Sequence, residues 1–386
     1  MDKLTGIPML SQKLIVLIII SFFLFSCQTE GEKGDPLKDK ISLQLDALLQ
    51  DEEIESLAVG IIAGEKEYQF YKGILMNGKT PNEESLYEIA SITKTFTGSL
   101  AARAVLDKKL ALDADIRKYL KGDFPNLEYE GTPITVRNLL THQGGIPRML
   151  PDQPGLFDNP DFDKLPDQIN ALQKDFSKEA FFEELAKVEL DTLPGINFSY
   201  SNAGANLMGY ILEEVYQKDY ADLLDAFLFT PLGMERSAVG VKDGLGSHLV
   251  EGQNHHKLKM PFSVNKDMSA EGGIVSGIDD LLKYARFQMD ENEEWVQLCQ
   301  TDLWEGLHGD YGTGFYWQLN KDGDNPDRVF QNGGAFGTAT WVSLLPKEEI
   351  AVIIITNVSG PQTHQKMSEK VEEILDILIK NSSTNE

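Results

Sequence analysis

The chain has 386 residues, 41% of them hydrophobic and 25% charged, the balance of a globular protein rather than a disordered one. At roughly 100–200 residues per domain, that length holds one large domain or two intimate ones. The formal charge of −26 argues against nucleic acid as a partner and against binding anionic lipid by charge alone.

Lys3 and Lys13 precede "LIVLIIISFFLF", an apolar run from Leu14 to Phe25. The run is short for a membrane span, which needs about 20 residues, but fits the core of a secretory signal peptide over 1–26. It ends in "LFSC", where Leu24, Ser26 and Cys27 resemble the lipobox of bacterial lipoproteins. That resemblance implies an acylated Cys27, a membrane anchor through its lipid and a place in the bacterial cell envelope. Gln28 in place of Asp suggests the outer membrane, again by resemblance. An uncleaved anchor and ordinary secretion are the alternatives. "QTEGEKGDPLKDK" reads as a polar tether, so 27–52 holds the acylated Cys, the tether and the start of the first helix.

"SLQLDALLQDEEI" has helical spacing of Leu43, Leu45, Leu48 and Leu49. "LAVGIIAG" and "EYQFYKGIL" are β-rich runs joined through Gly64, a hairpin signal. From Ser91 to about 255, "FTGSLAARAVL", "TVRNLLTH", "EAFFEELAKVEL" and "NLMGYILEEVYQ" predict helices, interrupted by a long Pro/Asp-rich loop over 147–167. After 310 strands return as "YGTGFYWQL", "TATWVSLLP" and "IAVIIITN", and "KVEEILDILIK" predicts a last amphipathic helix. Strands at both chain ends around a helical middle predict an α+β fold. Its antiparallel sheet is formed by both ends and flanked by helices, with a helical insertion over about 97–255. The folded domain is expected over 53–380, with a tail at 381–386 and the cleft between the two parts as the default site.

Cys27 and Cys299 are the two cysteines, so no disulfide framework is expected, and Cys299 in "WVQLCQ" reads as a buried small hydrophobe. The six His show no HExxH and no paired-ligand spacing, so neither a metal nor a cofactor is expected. The sequence assigns no oligomeric state.

"YEIASITKTFTG" (87–98) places Ser91 and Lys94 three positions apart at a helix start, which puts both on one face. Free backbone N–H groups and the positive dipole end there suit a serine nucleophile. The alternative is a plain helix cap. Ser263 and Lys266 repeat the same spacing in a short irregular stretch. A second segment, "LPGINFSYSNAGANLMGYILEEV" (193–215), sets Tyr200 and Asn202 just before another helix. A tyrosine acting as base needs a nearby ammonium, and Lys94 is a suitable one. Nucleophile, cation, base and an orienting amide make a coherent set.

With these motifs in view, the chain resembles the serine beta-lactamase and penicillin-binding-protein superfamily. It is most similar to the class C-like branch, which holds esterases, D-amino-acid peptidases and uncharacterised hydrolases. "ASITKTFTG", "ITVRNLLTHQGGIP", "PGINFSYSNAGANLMGYILE", "PLGM", "GGIVSGIDDLLKYARF" and the 331–346 stretch carry the resemblance over roughly 53–380. It implies Ser91 as acylated nucleophile, Lys94 as its proton partner, Tyr200 as general base and Asn202 as a substrate contact. It also puts Gln331, Asn332 and Gly333 on the family's third, substrate-binding motif, with backbone N–H groups of Ser91 and Gly334 as the oxyanion hole. Gln331 departs from the Lys or His of that motif; it donates hydrogen bonds but carries no charge. His142 reads as a packed or capping histidine and not as a catalyst. The implied function is a serine hydrolase, of carboxypeptidase or esterase type, acting on a small-molecule or peptide ester or amide. Beta-lactams are the least expected substrate. A catalytically weak module binding cell-wall fragments is the alternative.

Overall fold

Helix α1 (Pro36–Leu48) opens the fold in a computed structural model that describes residues 35–263, 267–304, 311–320 and 327–382. The expected leader, Cys27 and Lys266 lie outside the described residues. α1 buries Leu37, Ile41, Leu45 and Leu48 at intervals of three and four, while Leu43 is 68% exposed and belongs to the outer face. The tether expected over 28–40 therefore gives way to helix at Pro36. Asp35 followed by Pro36 is a helix-start signal, because proline suits the first helical position.

β1 (Ser56–Ala63) and β2 (Lys66–Gly73) form the expected hairpin, with Gly64 at φ +61° in its turn. The helices that follow include α2 (Thr93–Leu106), α3 (Val136–Leu140), α4 (Leu165–Gln173), α5 (Lys178–Leu185), α6 (Asn202–Tyr216) and α7 (Ile278–Gln288), with short helical turns over 220–232 between the last two. A short α8 (Glu294–Cys299) leads to β3 (Tyr311–Gly314), β4 (Trp317–Asn320), β5 (Arg328–Gly334), β6 (Ala339–Leu345) and β7 (Ile350–Thr356). α9 (Thr363–Ser382) closes the chain, starting before the predicted 370 and taking in the first two residues of the expected tail.

The sheet order is β2-β1-β7-β6-β5-β4-β3, antiparallel throughout, so strands from both chain ends complete one sheet. Alternation divides its side chains between two cores. Leu57, Val59, Ile61, Trp341, Val352 and Ile354 pack against α1 and α9. Ala58, Ile62, Val342, Ile353 and Ile355 join the cluster that includes Phe96, Leu100, Leu207 and Ile211. Both faces are covered, which is why "IAVIIIT" is apolar at nearly every position. The helical stretch has no separate core: α2 and α6 share theirs with the sheet.

The β3–β4 turn is unusual. Phe315 and Tyr316 both have positive φ (49° and 70°) and are buried, at positions where such two-residue turns favour Asn-Gly. α2 packs directly on this turn. A Cβ added at Gly98 would stand 2.0 Å from Phe315 O. Helix propensity alone predicts that Gly98→Ala stabilises by about 1 kcal/mol. Overpacking against backbone costs about 1–3 kcal/mol, so we expect Gly98→Ala to lower the midpoint of thermal unfolding. An unchanged or raised midpoint would show that the turn yields freely.

Candidate active site

The chain before Ser91 is pinned from two sides. Tyr87 and Glu88 pair with Ser276 and Val275, and Thr338 Oγ1 donates to Glu88 O at 2.8 Å. Ala90 then takes left-handed backbone (φ +48°), sparsely populated for a residue with a Cβ. Ser91 lies in the 3₁₀ turn Ala90–Ile92 that leads into α2, and not in α2 itself. The residues at the two cap positions are Ile89 and Ile92, so Ser91 is not a helix cap. Its Oγ is 2.6 Å from Tyr200 OH and accepts from Lys94 Nζ at 3.0 Å. Lys94 is fully buried and also donates to Glu271 O at 2.5 Å, with Nζ 5.0 Å from the Tyr200 ring centroid.

Tyr200 is held by what precedes and follows it. Ser201 caps α6, its Oγ accepting from Gly204 N at 2.8 Å and donating to Pro147 O at 2.7 Å. His142 grips the segment twice: Ser199 N donates to His142 O at 2.7 Å, and Ser201 N to His142 Nδ1 at 3.2 Å. Burial, helped by the Lys94 charge, holds the His142 imidazole down to about 3, so the ring is neutral and free to accept. The ring also packs 4.6 Å from that of Tyr200. His142 is thus packed against Tyr200 and accepts a backbone N–H at the start of α6, in line with the packed or capping histidine expected from "HQGGIP". Asn202 N donates to Arg148 O at 2.8 Å, while Asn202 Oδ1 is buried beside Ser91 with no partner among the described residues.

The third segment borders the cleft through Gln331, Asn332 and Gly334 and also holds the sheet edge. Gln331 is buried, its Nε2 donating to Tyr316 O at 2.5 Å and its Oε1 accepting from Gln318 Nε2 at 3.2 Å and Asn332 N at 2.9 Å. Most of its hydrogen-bonding capacity holds the sheet edge, while the side chain still lines the cavity at Ser91. Alternation along β5 turns Asn332 to the α9 face, with Gly334, although it still borders the cleft. Gly333 serves close packing: a Cβ there would lie 2.4 Å from Ile89 O and 3.0 Å from Ser91 N. Gly334 pairs with Ala339 next to the Ala335 N to Thr338 O bond, so antiparallel alternation points its N–H away from β6. Gly334 and Ser91 line the same cavities.

Two cavities meet at Ser91. One, of about 260 Å³, is walled by Met149, Phe157, Phe162, Leu165, Ile169 and Met268, so the 147–167 loop supplies much of an apolar wall. The other, of about 900 Å³, is lined by His142, Tyr200, Thr313, Gln318 and Gln331. Three charged residues here were not singled out by the sequence. Glu271 is half-buried, and desolvation of its carboxyl raises its pKa against the opposing Lys94 charge. Glu88 is pushed up to about 7 by burial, opposed by a hydrogen bond from Ser263 N. Arg148 lines both cavities. Glu271 engages Lys94 through its backbone carbonyl, which leaves no residue-type signal; Glu88, three positions before Ser91, was within reach.

A family model described as Beta-lactamase matches residues 44–376. Protein flp of Staphylococcus aureus is 23% identical over 286 residues, 71% of this chain, and the match covers 53% of that protein's length. The D-alanyl-D-alanine-carboxypeptidase/endopeptidase AmpH of Escherichia coli is 22% identical over 322 residues, 79% of each chain. Among solved structures, a beta-lactamase/D-alanine carboxypeptidase from Yersinia pestis superposes with a TM-score of 0.74. It has 21% identity, with coverage of 89% of this chain and 99% of the other, and carries the same fold.

Glu88 makes stability pH-dependent. Its folded carboxyl keeps a proton up to about 7, whereas the unfolded group releases it near 4.5. The stabilising contribution is therefore complete below that lower value and lost as pH rises through the upper one. We expect the thermal midpoint of the wild type to fall against that of Glu88→Gln between about pH 5 and about pH 8. A constant difference across that range would sink the assignment.

Proposed function

We propose, from the premise that this chain belongs to the Beta-lactamase family, that it is a serine hydrolase working through an acyl-enzyme on an ester or amide. One observation carries the reading: the Ser91 hydroxyl sits between Tyr200 OH at 2.6 Å and Lys94 Nζ at 3.0 Å. The ammonium donates to Oγ, so the hydroxyl's own proton is directed to the Tyr200 oxygen. In the reacting form Tyr200 is the phenolate, balanced by the Lys94 ammonium; as Oγ bonds to the substrate carbonyl carbon, that proton passes to the phenolate oxygen and the carbonyl π pair moves onto oxygen. Backbone N–H groups of Ser91 and Gly334 receive this oxyanion. Collapse breaks the bond to the leaving group, which takes the proton from Tyr200, and water then releases the acyl group by the reverse sequence.

The substrate is a D-amino-acid peptide of cell-wall type or a small ester. A beta-lactam fits less well, because Gln331 supplies no charge and its amide is engaged with Tyr316 and Gln318. That same feature favours the second reading, a module that holds cell-wall fragments without turnover. The protein is held at the bacterial envelope by an acylated Cys27, a placement supported by the Leu14–Cys27 sequence alone. Among the described residues no helix is long and apolar enough to cross a membrane.

A fluorophosphonate probe is expected to add its mass at Ser91 and to fail on Ser91→Ala. Tyr200→Phe and Lys94→Met should each slow labelling and ester turnover by roughly 100- to 10,000-fold. Unlabelled wild-type protein that still binds muropeptides would replace the hydrolase with the binding module. Labelled palmitate should enter the wild type in a bacterial host and not Cys27→Ser; equal incorporation would remove the anchor from Cys27.

A further inference from the structure

Seven arginines occur in the chain, and six of them hold oxygen partners. Arg103, Arg117, Arg137, Arg286 and Arg328 pair with Asp107, Asp115, Asp113, Glu67 and Glu372. Arg236 donates to the carbonyls of Glu83 and Glu84. Arg148 makes neither an ion pair nor a side-chain hydrogen bond with any described residue, in a chain with 61 acidic side chains. It is also the only Lys or Arg among the described residues lining either cavity at Ser91.

Its position is built. The Arg148 carbonyl takes Asn202 N at 2.8 Å, and Ser201 Oγ holds the preceding carbonyl, so the N-terminus of α6 fixes its backbone beside Tyr200 and Asn202. The guanidinium carbon stands 4.4 Å from the Phe157 ring centroid and 5.9 Å from that of Tyr200. Stacking on an aromatic covers a guanidinium face and leaves its N–H edge available to a planar partner. The two acids of the same cavity have other hydrogen-bond partners: Glu88 accepts Ser263 N, and Glu271 is bonded to Asn206, with the Lys94 and Arg148 charges acting on it only through space.

We infer that Arg148 is the carboxylate-binding residue of this cleft, and that the substrate carries a carboxylate on the molecule whose carbonyl meets Ser91. The second half rests on the hydrolase reading. A planar carboxylate matches the guanidinium fork with two parallel hydrogen bonds. One cation flanked by two acids suits a singly charged group better than a phosphate dianion. The net charge of −26 does not oppose this locally, since exposed charges beyond a screening length of about 8–10 Å contribute little.

The test uses phenylacetate and its uncharged counterpart phenylacetamide, titrated calorimetrically into the full chain. Wild-type protein is expected to bind the carboxylate roughly 10- to 100-fold tighter than the amide, the range of a charged hydrogen-bonded pair. Arg148→Gln should erase that difference with amide affinity and thermal midpoint unchanged, and Arg148→Lys should restore part of it. Phenylacetate should also slow fluorophosphonate labelling of Ser91 in the wild type and not in Arg148→Gln. Equal affinities in the wild type, no measurable binding of phenylacetate, or a preference that survives Arg148→Gln would each overturn the assignment. Absence of labelling in the wild type would instead remove the hydrolase reading, while the calorimetric comparison still decides the role of Arg148.

Discussion

A fully buried ammonium is expensive to maintain unless oxygen atoms surround it, and Lys94 is the one around which this molecule is arranged. Its hydrogen-bond acceptors come from separate parts of the chain: Ser91 Oγ one turn back, and the carbonyl of Glu271. Placing that carbonyl requires the 269–276 segment to run against α2, where Thr97 Oγ1 donates to Ala270 O at 2.7 Å and Thr93 Oγ1 accepts from Ile274 N at 3.1 Å. The threonines of "TKTFT" are therefore structural supports for the lysine between them.

From this centre the sheet and the helices become interdependent. β5 reaches the nucleophile turn closely enough that only glycine fits at 333, and Gly334 then presents its N–H beyond the last pair with β4. Tyr200 arrives from the opposite side, clamped by His142 and by the Ser201 cap of α6. Neither side could be displaced without moving the other, because α2, α6 and the inner sheet face share one apolar core. Strain at Ala90 is tolerated within this frame, and it turns Ser91 out of the helix toward the cleft.

Much of this was legible in the residues. The hairpin through Gly64, the returning strands and the helices after Ser91 follow from periodicity, and a sheet completed by both chain ends follows from where those strands lie; its strand order does not. The Ser91, Lys94, Tyr200 and Asn202 set was readable because each is a chemically demanding residue next to a helix-start signal. What stayed hidden acts through backbone or through contact. The Glu271 carbonyl, the clash that reserves 333 for glycine and the inward commitment of Gln331 have no signature in residue type. The helical spacing of Leu43, Leu45, Leu48 and Leu49 left their burial open, because clustered leucines satisfy two registers of a helix, and packing against α9 leaves Leu43 outside. Arg148 was passed over because one exposed arginine is ordinary until its neighbours are seen to leave it unpaired.

The Phe315–Tyr316 turn carries a consequence for how the cleft opens. Two bulky residues in left-handed backbone give that hairpin little intrinsic tendency to form, so its geometry is imposed by α2 above it. Tyr316 donates its N–H to Leu140 O at 3.0 Å and lends its carbonyl to Gln331. Local unfolding at this sheet edge would therefore release the anchor of β5 and one wall of the polar cavity in a single cooperative event. Amide exchange over 311–320 and 331–334 should share one opening free energy, making the rim of the cleft a foldon rather than a set of independently breathing loops.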